Sequence, residues 1–128
     1  MPHKILVVDD SRAMQTVIVR AIGMAGFKVP ECARAFNGRE ALQTLRDAFV
    51  NLILTDINMP EMDGEEMIRA IRANPRYQPI PIVVISTDAS EGRIQQMLDI
   101  GAQDYITKPF TPERLREVLA PFLGRTHA

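Results

Sequence analysis

ILVVDDS, residues 5 to 11, is the stretch from which the fold can be read. Ile5, Leu6, Val7 and Val8 form an unbroken apolar run rich in β-branched side chains. A strand with one wet face alternates apolar and polar residues. An unbroken run marks a strand covered on both faces, the habit of parallel sheets. The run stops at Asp9 and Asp10, and Ser11 is a residue type that caps helices. Buried strand, acidic turn and helix start follow one another directly.

The succession recurs along the chain. From the Ser11 cap a helix runs to about Ala25, with Ile18, Ala21, Ile22 and Ala25 at core spacing and Gly26 ending it. Phe27 to Ala33 reads as a weaker strand, which Pro30 demotes to an edge. Asn37-Gly38 turns the chain into a helix over about Arg39 to Ala48, with Ala41, Leu42 and Leu45 inward. Leu52 to Thr55 is the third strand, followed near Glu65 to Ala73 by a helix whose stripe is Met67, Ile68 and Ile71. Pro81 to Ile85 is the fourth strand. The next helix, about Glu91 to Ile100, sets Ile94, Met97, Leu98 and Gly101 at core spacing. Asp104 to Thr107 is a short fifth strand. Thr111-Pro112-Glu113 then starts a helix with Leu115, Val118, Leu119 and Phe122 inward, which Pro121 should kink or end. Five strands alternating with five helices mean an α/β protein with a parallel sheet, because parallel strands need crossovers. Right-handed crossovers make it a doubly wound sandwich.

At 128 residues the chain reads as one domain, large enough to bury a core without staples. A hydrophobic content of 46%, a charged content of 24% and a net charge of −1 are those of an ordinary soluble globule. No clustered basic excess suggests a nucleic-acid surface. No run approaches the roughly 18 apolar residues of a membrane span, and the start has no secretory signal. The lone Cys32 cannot pair within the chain and fits a reducing compartment. A cytoplasmic monomer is expected.

Ligands of doubly wound sheets sit outside the carboxyl ends of the strands. There the sequence puts Asp9 and Asp10 (first strand), Asp56 (third), Ser86 and Thr87 (fourth) and Lys108 (fifth). Three carboxylates converging on one crevice repel. A hard divalent cation such as Mg²⁺, bound through carboxylates and waters, would relieve them. Lysine adds a compact positive charge and serine a hydroxyl. Together these groups can make and hold an aspartyl phosphate.

The motifs VVDDS, LTDINMPEMDG, VVISTDAS and YITKPFTPERL, in that order, resemble the receiver domain of bacterial response regulators in its stand-alone, CheY-like form. The resemblance covers residues 3 to about 123. The separations agree too: Asp56 and Lys108 are 52 positions apart, and Ser86 and Lys108 are 22 apart. It implies a flavodoxin-like (βα)5 fold with strand order 2-1-3-4-5. It also implies Asp56 as phosphoacceptor, Asp10 as a direct Mg²⁺ ligand and Asp9 as one acting mainly through water. Asn58 would lend its backbone carbonyl to the metal, and Lys108 and Ser86 would meet the phosphoryl oxygens. Tyr105 would be an aromatic switch beside Ser86, and the Lys108–Pro109 bond is often cis in the family.

The function so implied is two-component signalling. A histidine kinase or histidine phosphotransfer protein phosphorylates Asp56, and this switches a protein-binding surface on the fourth helix, fifth strand and fifth helix. The partner there could be a flagellar motor switch. Alternatives are a phosphorelay intermediate and an aspartyl-phosphate phosphatase. The phosphatase fits poorly, since it wants Asp-x-Asp after the first strand. No Gly-x-Gly-x-x-Gly follows that strand, which argues against a dinucleotide site. The chain therefore reads as a switch acting on itself rather than a turnover enzyme. With only Gly124 to Ala128 beyond the last helix, residues 1–128 read as a single receiver without an output domain. Met14 and Val17 lie off the inner stripe of the first helix, one and two turns past Asp10. Either that helix is broadly buried, or they form an apolar shoulder for a kinase; the second reading is taken.

Overall fold

A computed structural model describes residues 4–28 and 31–124. Pro30 and the tail after Gly124 lie outside those residues. Its elements are β1 (Lys4–Val8), α1 (Arg12–Met24), β2 (Glu31–Ala35), α2 (Gly38–Asp47), β3 (Leu52–Thr55), α3 (Gly64–Ala73), β4 (Ile82–Ser86), α4 (Glu91–Ile100), β5 (Asp104–Thr107) and α5 (Pro112–Leu123). The five strands form one sheet in the order β2-β1-β3-β4-β5, every pair parallel. The unbroken apolar runs explain the placement: β3 and β4 are buried at every position, and β1 at all but its first.

Alternate residues of these strands feed two separate cores. Leu6, Val8, Ile53, Ile82 and Val84 pack under α2, α3 and α4 with Ala41, Leu45, Met67, Ile68, Ile71 and Met97. Ile5, Val7, Leu52, Leu54 and Val83 pack under α1 and α5 with Ile18, Ile22, Leu115, Val118 and Leu119.

Four expectations need correction. The second strand starts at Glu31, opposite Lys4, not at Phe27. Phe27 is instead a buried plug following the α1 terminus, where its N–H donates to the Ile22 carbonyl at 3.3 Å. The helix after Asn37 begins at Gly38, because the Asn37 side chain caps it by accepting from the Glu40 N–H at 2.9 Å. The fifth helix runs through Pro121 to Leu123. Proline in a last turn removes a single helical hydrogen bond, and the Gly124 N–H still reaches the Ala120 carbonyl. Leu123 is buried there and Phe122 only half-buried. The α4 stripe is the weakest: Met97 alone is buried, while Ile94, Leu98 and Gly101 are half-exposed.

Candidate functional site

The carboxyl ends of β1, β3, β4 and β5 open on the same side of the sheet. There one ligand oxygen each from Asp9, Asp10 and Asp56 lies within 4.8 Å of the others. Asp9 is nearly fully buried and held twice: its Oδ1 accepts from the Ser11 N–H at 2.9 Å, and its Oδ2 meets Lys108 Nζ at 3.0 Å. Asp56 is half-buried. Its Oδ1 accepts from the Ile57 N–H at 2.7 Å, and its Oδ2 meets the same Nζ at 3.1 Å. Lys108 thus bridges the ends of β1 and β3 from the end of β5, and the peptide bond after it, to Pro109, is cis. Burial pulls the Lys108 ammonium pKa down, but the contacts with Asp9 and Asp56 outweigh it and hold the pKa above its ordinary value. Asp10 is exposed, and no donor side chain meets its carboxylate among the described residues.

Three carboxylates and one ammonium leave two formal negative charges in a cluster made only of hard oxygen donors. One small divalent cation balances that charge and suits those donors. The sequence-predicted group Asp9, Asp10, Asp56 and Lys108 is therefore brought together. Asn58 is exposed in the loop following Asp56.

The loop from Asp56 to Gly64 is tightly fastened. Gly64 N–H donates to the Ile57 carbonyl at 2.7 Å, and a Cβ at Gly64 would lie 2.3 Å from the Asp56 carbonyl oxygen. Gly38 N–H donates to the Met62 carbonyl at 2.8 Å. Asn37 Nδ2 donates to Glu61, which adopts the left-handed backbone region. Asp63 and Glu66 close a capping box on α3.

On the other side, Ser86 is fully buried at the end of β4, and its Oγ accepts from the Asp88 N–H at 3.2 Å. Tyr105 is buried on the edge strand β5 and points inward, its hydroxyl donating to the Asp88 carbonyl. Burial, which outweighs the nearby Ser86 hydroxyl, pushes the phenol pKa above its usual value. Of the two off-stripe α1 residues, Val17 is 51% exposed, whereas Met14 is half-buried against the α1–α5 core.

Two participants went unread in the sequence. Asp88 supplies the carbonyl that anchors Tyr105, and nothing in the pattern marks it. Gln15 is fully buried and donates to the Asp9 carbonyl. Its signal was available: a polar residue on the α1 inner stripe, three before Ile18.

The chain belongs to the response regulator receiver domain family, whose model matches residues 5–120. That family is the receiving module of two-component signalling, and this member is CheY-like. Chemotaxis protein CheY1 of Helicobacter pylori is 38% identical over 122 residues, which span 94% of this chain and 97% of that protein. The CheY4 structure of Vibrio cholerae superposes with a TM-score of 0.83 at 34% identity, covering 96% of this chain and all of that one. The receiver domain of a Pseudomonas aeruginosa sensor histidine kinase has a magnesium ion coordinated in its active-site cleft. It gives a TM-score of 0.82 at 28% identity, covering 98% of this chain and 100% of its own. Among the described residues no helix is long and apolar enough to cross a membrane.

Proposed function

We propose that this chain is a cytoplasmic phosphorylation switch in which Asp56 accepts a phosphoryl group from the histidine of a kinase or phosphotransfer protein. The observation that carries this reading is the ammonium of Lys108 bridging Asp9 and Asp56 beside Asp10, whose carboxylate has no side-chain partner among the described residues. An Asp56 carboxylate oxygen attacks phosphorus through a remaining lone pair, the phosphorus–nitrogen bond to the donor imidazole breaks, and its electron pair stays on that nitrogen. Lys108 sits where charge gathers on the transferred oxygens, and electrostatic stabilisation of this kind dominates phosphoryl transfer. Asp9, Asp10, Asp56 and the Asn58 carbonyl would hold Mg²⁺, which neutralises the phosphoryl oxygens when bound.

Ser86 and Tyr105 are the readout. Ser86 moves to donate its hydroxyl to the phosphoryl group, and Tyr105, already inward and held on the Asp88 carbonyl, shifts into the space Ser86 vacates. The surface of α4, β5 and α5 then changes for a target protein. The chemotaxis relatives favour a flagellar motor switch as that target. The exposed Val17, with Met14 at its base, would receive the phosphodonor's helix.

The test is labelling with acetyl phosphate and Mg²⁺. The protein should gain one acid-stable, base-labile phosphoryl group, and Asp56→Asn should gain none. Ser86→Ala should still be labelled, yet fail to pass beryllofluoride-induced chemical-shift changes on to Tyr105 and residues 91 to 100. Undiminished labelling of Asp56→Asn would remove the central claim.

A further inference from the structure

Gln15 is a fully buried polar side chain facing the strands rather than solvent. Its Nε2 donates to the carbonyls of Asp9 and Ala35, each at 2.9 Å. The β1–β2 ladder ends at Val8 and Ala35, with the Asp9 N–H reaching the Ala35 carbonyl at 3.1 Å. Beyond that point the strands part, β2 toward α2 and β1 into the acidic turn. One carboxamide therefore ties the two strands together where backbone pairing stops.

The other half of that carboxamide is unused. Its Oε1 is buried and has no partner among the described residues. An unmet buried acceptor is unfavourable, and a position that needed only filling would be better served by leucine or methionine. The donors are therefore what the position requires. Their target is one peptide away from the least supported member of the acidic cluster. The Asp9 side chain is fixed by Ser11 and Lys108, whereas the Asp10 carboxylate is exposed and its direction depends on its backbone.

We propose that Gln15 is a positioning residue. By pinning the Asp9 carbonyl to the end of β2, it orients the Asp9–Asp10 peptide so that the Asp10 carboxylate meets Asp56 across one divalent cation. This rests on reading the acidic cluster as a cation site.

The test is a Mg²⁺ titration of the ¹⁵N-labelled full chain, followed through the backbone amides of Asp10 and Asp56. Gln15→Met keeps the length and removes both donors. Measured well below its melting temperature, it should bind Mg²⁺ about tenfold more weakly, the usual effect of losing a support behind a metal ligand. Unchanged Mg²⁺ affinity with only a lowered melting temperature would make Gln15 a structural residue and overturn the proposal. Should Gln15→Met not fold, the wild-type side-chain NH₂ signals decide. They should exchange slowly with water and shift in step with the Asp10 amide as Mg²⁺ is added. Signals that stay still while Asp10 and Asp56 respond would overturn the proposal equally. No Mg²⁺ response at Asp10 or Asp56 in the wild type would instead sink the cation site itself, and the proposal with it.

Discussion

Removing the charge of Asp10 should stabilise the metal-free protein and make it insensitive to Mg²⁺. The perturbation is Asp10→Asn, which keeps the size of the side chain. One carboxylate oxygen of Asp10 lies within 4.8 Å of one each from Asp9 and Asp56. Two unit charges at that distance repel by about 1 kcal/mol in water and about 3.5 kcal/mol at an effective dielectric of about 20. Asp10 is exposed, so the lower figure applies and salt reduces it further. Two such pairs, offset in part by attraction to the Lys108 ammonium, leave about 1 kcal/mol, or roughly 4 °C for a domain of this size. Thermal melts in EDTA should therefore place Asp10→Asn above wild type. Saturating Mg²⁺, at about a hundred times its dissociation constant, should add about 2.7 kcal/mol to wild type and little to the variant. The two melting temperatures should cross. An exposed acid at the far end of α2, Asp47, changed to Asn, should show no Mg²⁺-dependent difference from wild type. If Asp10→Asn melts below wild type in EDTA, or the order does not change with Mg²⁺, repulsion at the strand ends is not the cost assigned to it.

Lys108→Met leaves the buried Asp9 and half-buried Asp56 carboxylates without their cation, so in EDTA it should lose about 3–5 kcal/mol in urea denaturation. Mg²⁺ should restore part of that, and no restoration would count against a cation among these carboxylates. Gly64→Ala pushes a methyl group into the Asp56 carbonyl and the Ile57 Cα, both backbone, and should cost about 3 kcal/mol by the same assay. A loss under about 1 kcal/mol would show that the loop yields easily. Because burial raises the Tyr105 phenol above its usual value of 10.0, its contribution to stability is complete below that pH and lost as pH climbs through the folded-state value. In a Tyr77→Phe background the remaining tyrosine is Tyr105, so phenolate absorbance should titrate with a midpoint above 10.0, and a midpoint at or below it would contradict the buried pose.

The sheet was legible because its central strands are apolar without alternation: Leu52 to Thr55 falls where the pattern put it, and the short edge strand Asp104 to Thr107 follows from the spacing. The acidic cluster was legible for the same reason, since strand ends are where those runs break. What escaped were features set by contacts distant in sequence. Phe27 reads as strand yet is taken by packing against the α1–α5 core. Gln15 looks like an ordinary helix residue until the carbonyls of Asp9 and Ala35 are brought to it. Ile94 and Leu98 keep perfect spacing, but spacing cannot say how much protein will cover them.

The two loops flanking Asp56 are fastened unequally, and in the proposed switch this would set a direction. On the α3 side there is no slack: Gly64 leaves no room for a methyl group, the capping box is closed, and Asn37 and Gly38 tie the loop to α2. On the α4 side the Ser90 hydroxyl donates to Asp88 at 2.7 Å instead of capping the helix, and a single residue of that helix is buried. Strain entering at Asp56 meets a stiff abutment on one flank and a soft one on the other. In the proposed switch, displacement should therefore run toward α4 and Tyr105, as load shifts to the more yielding of two supports.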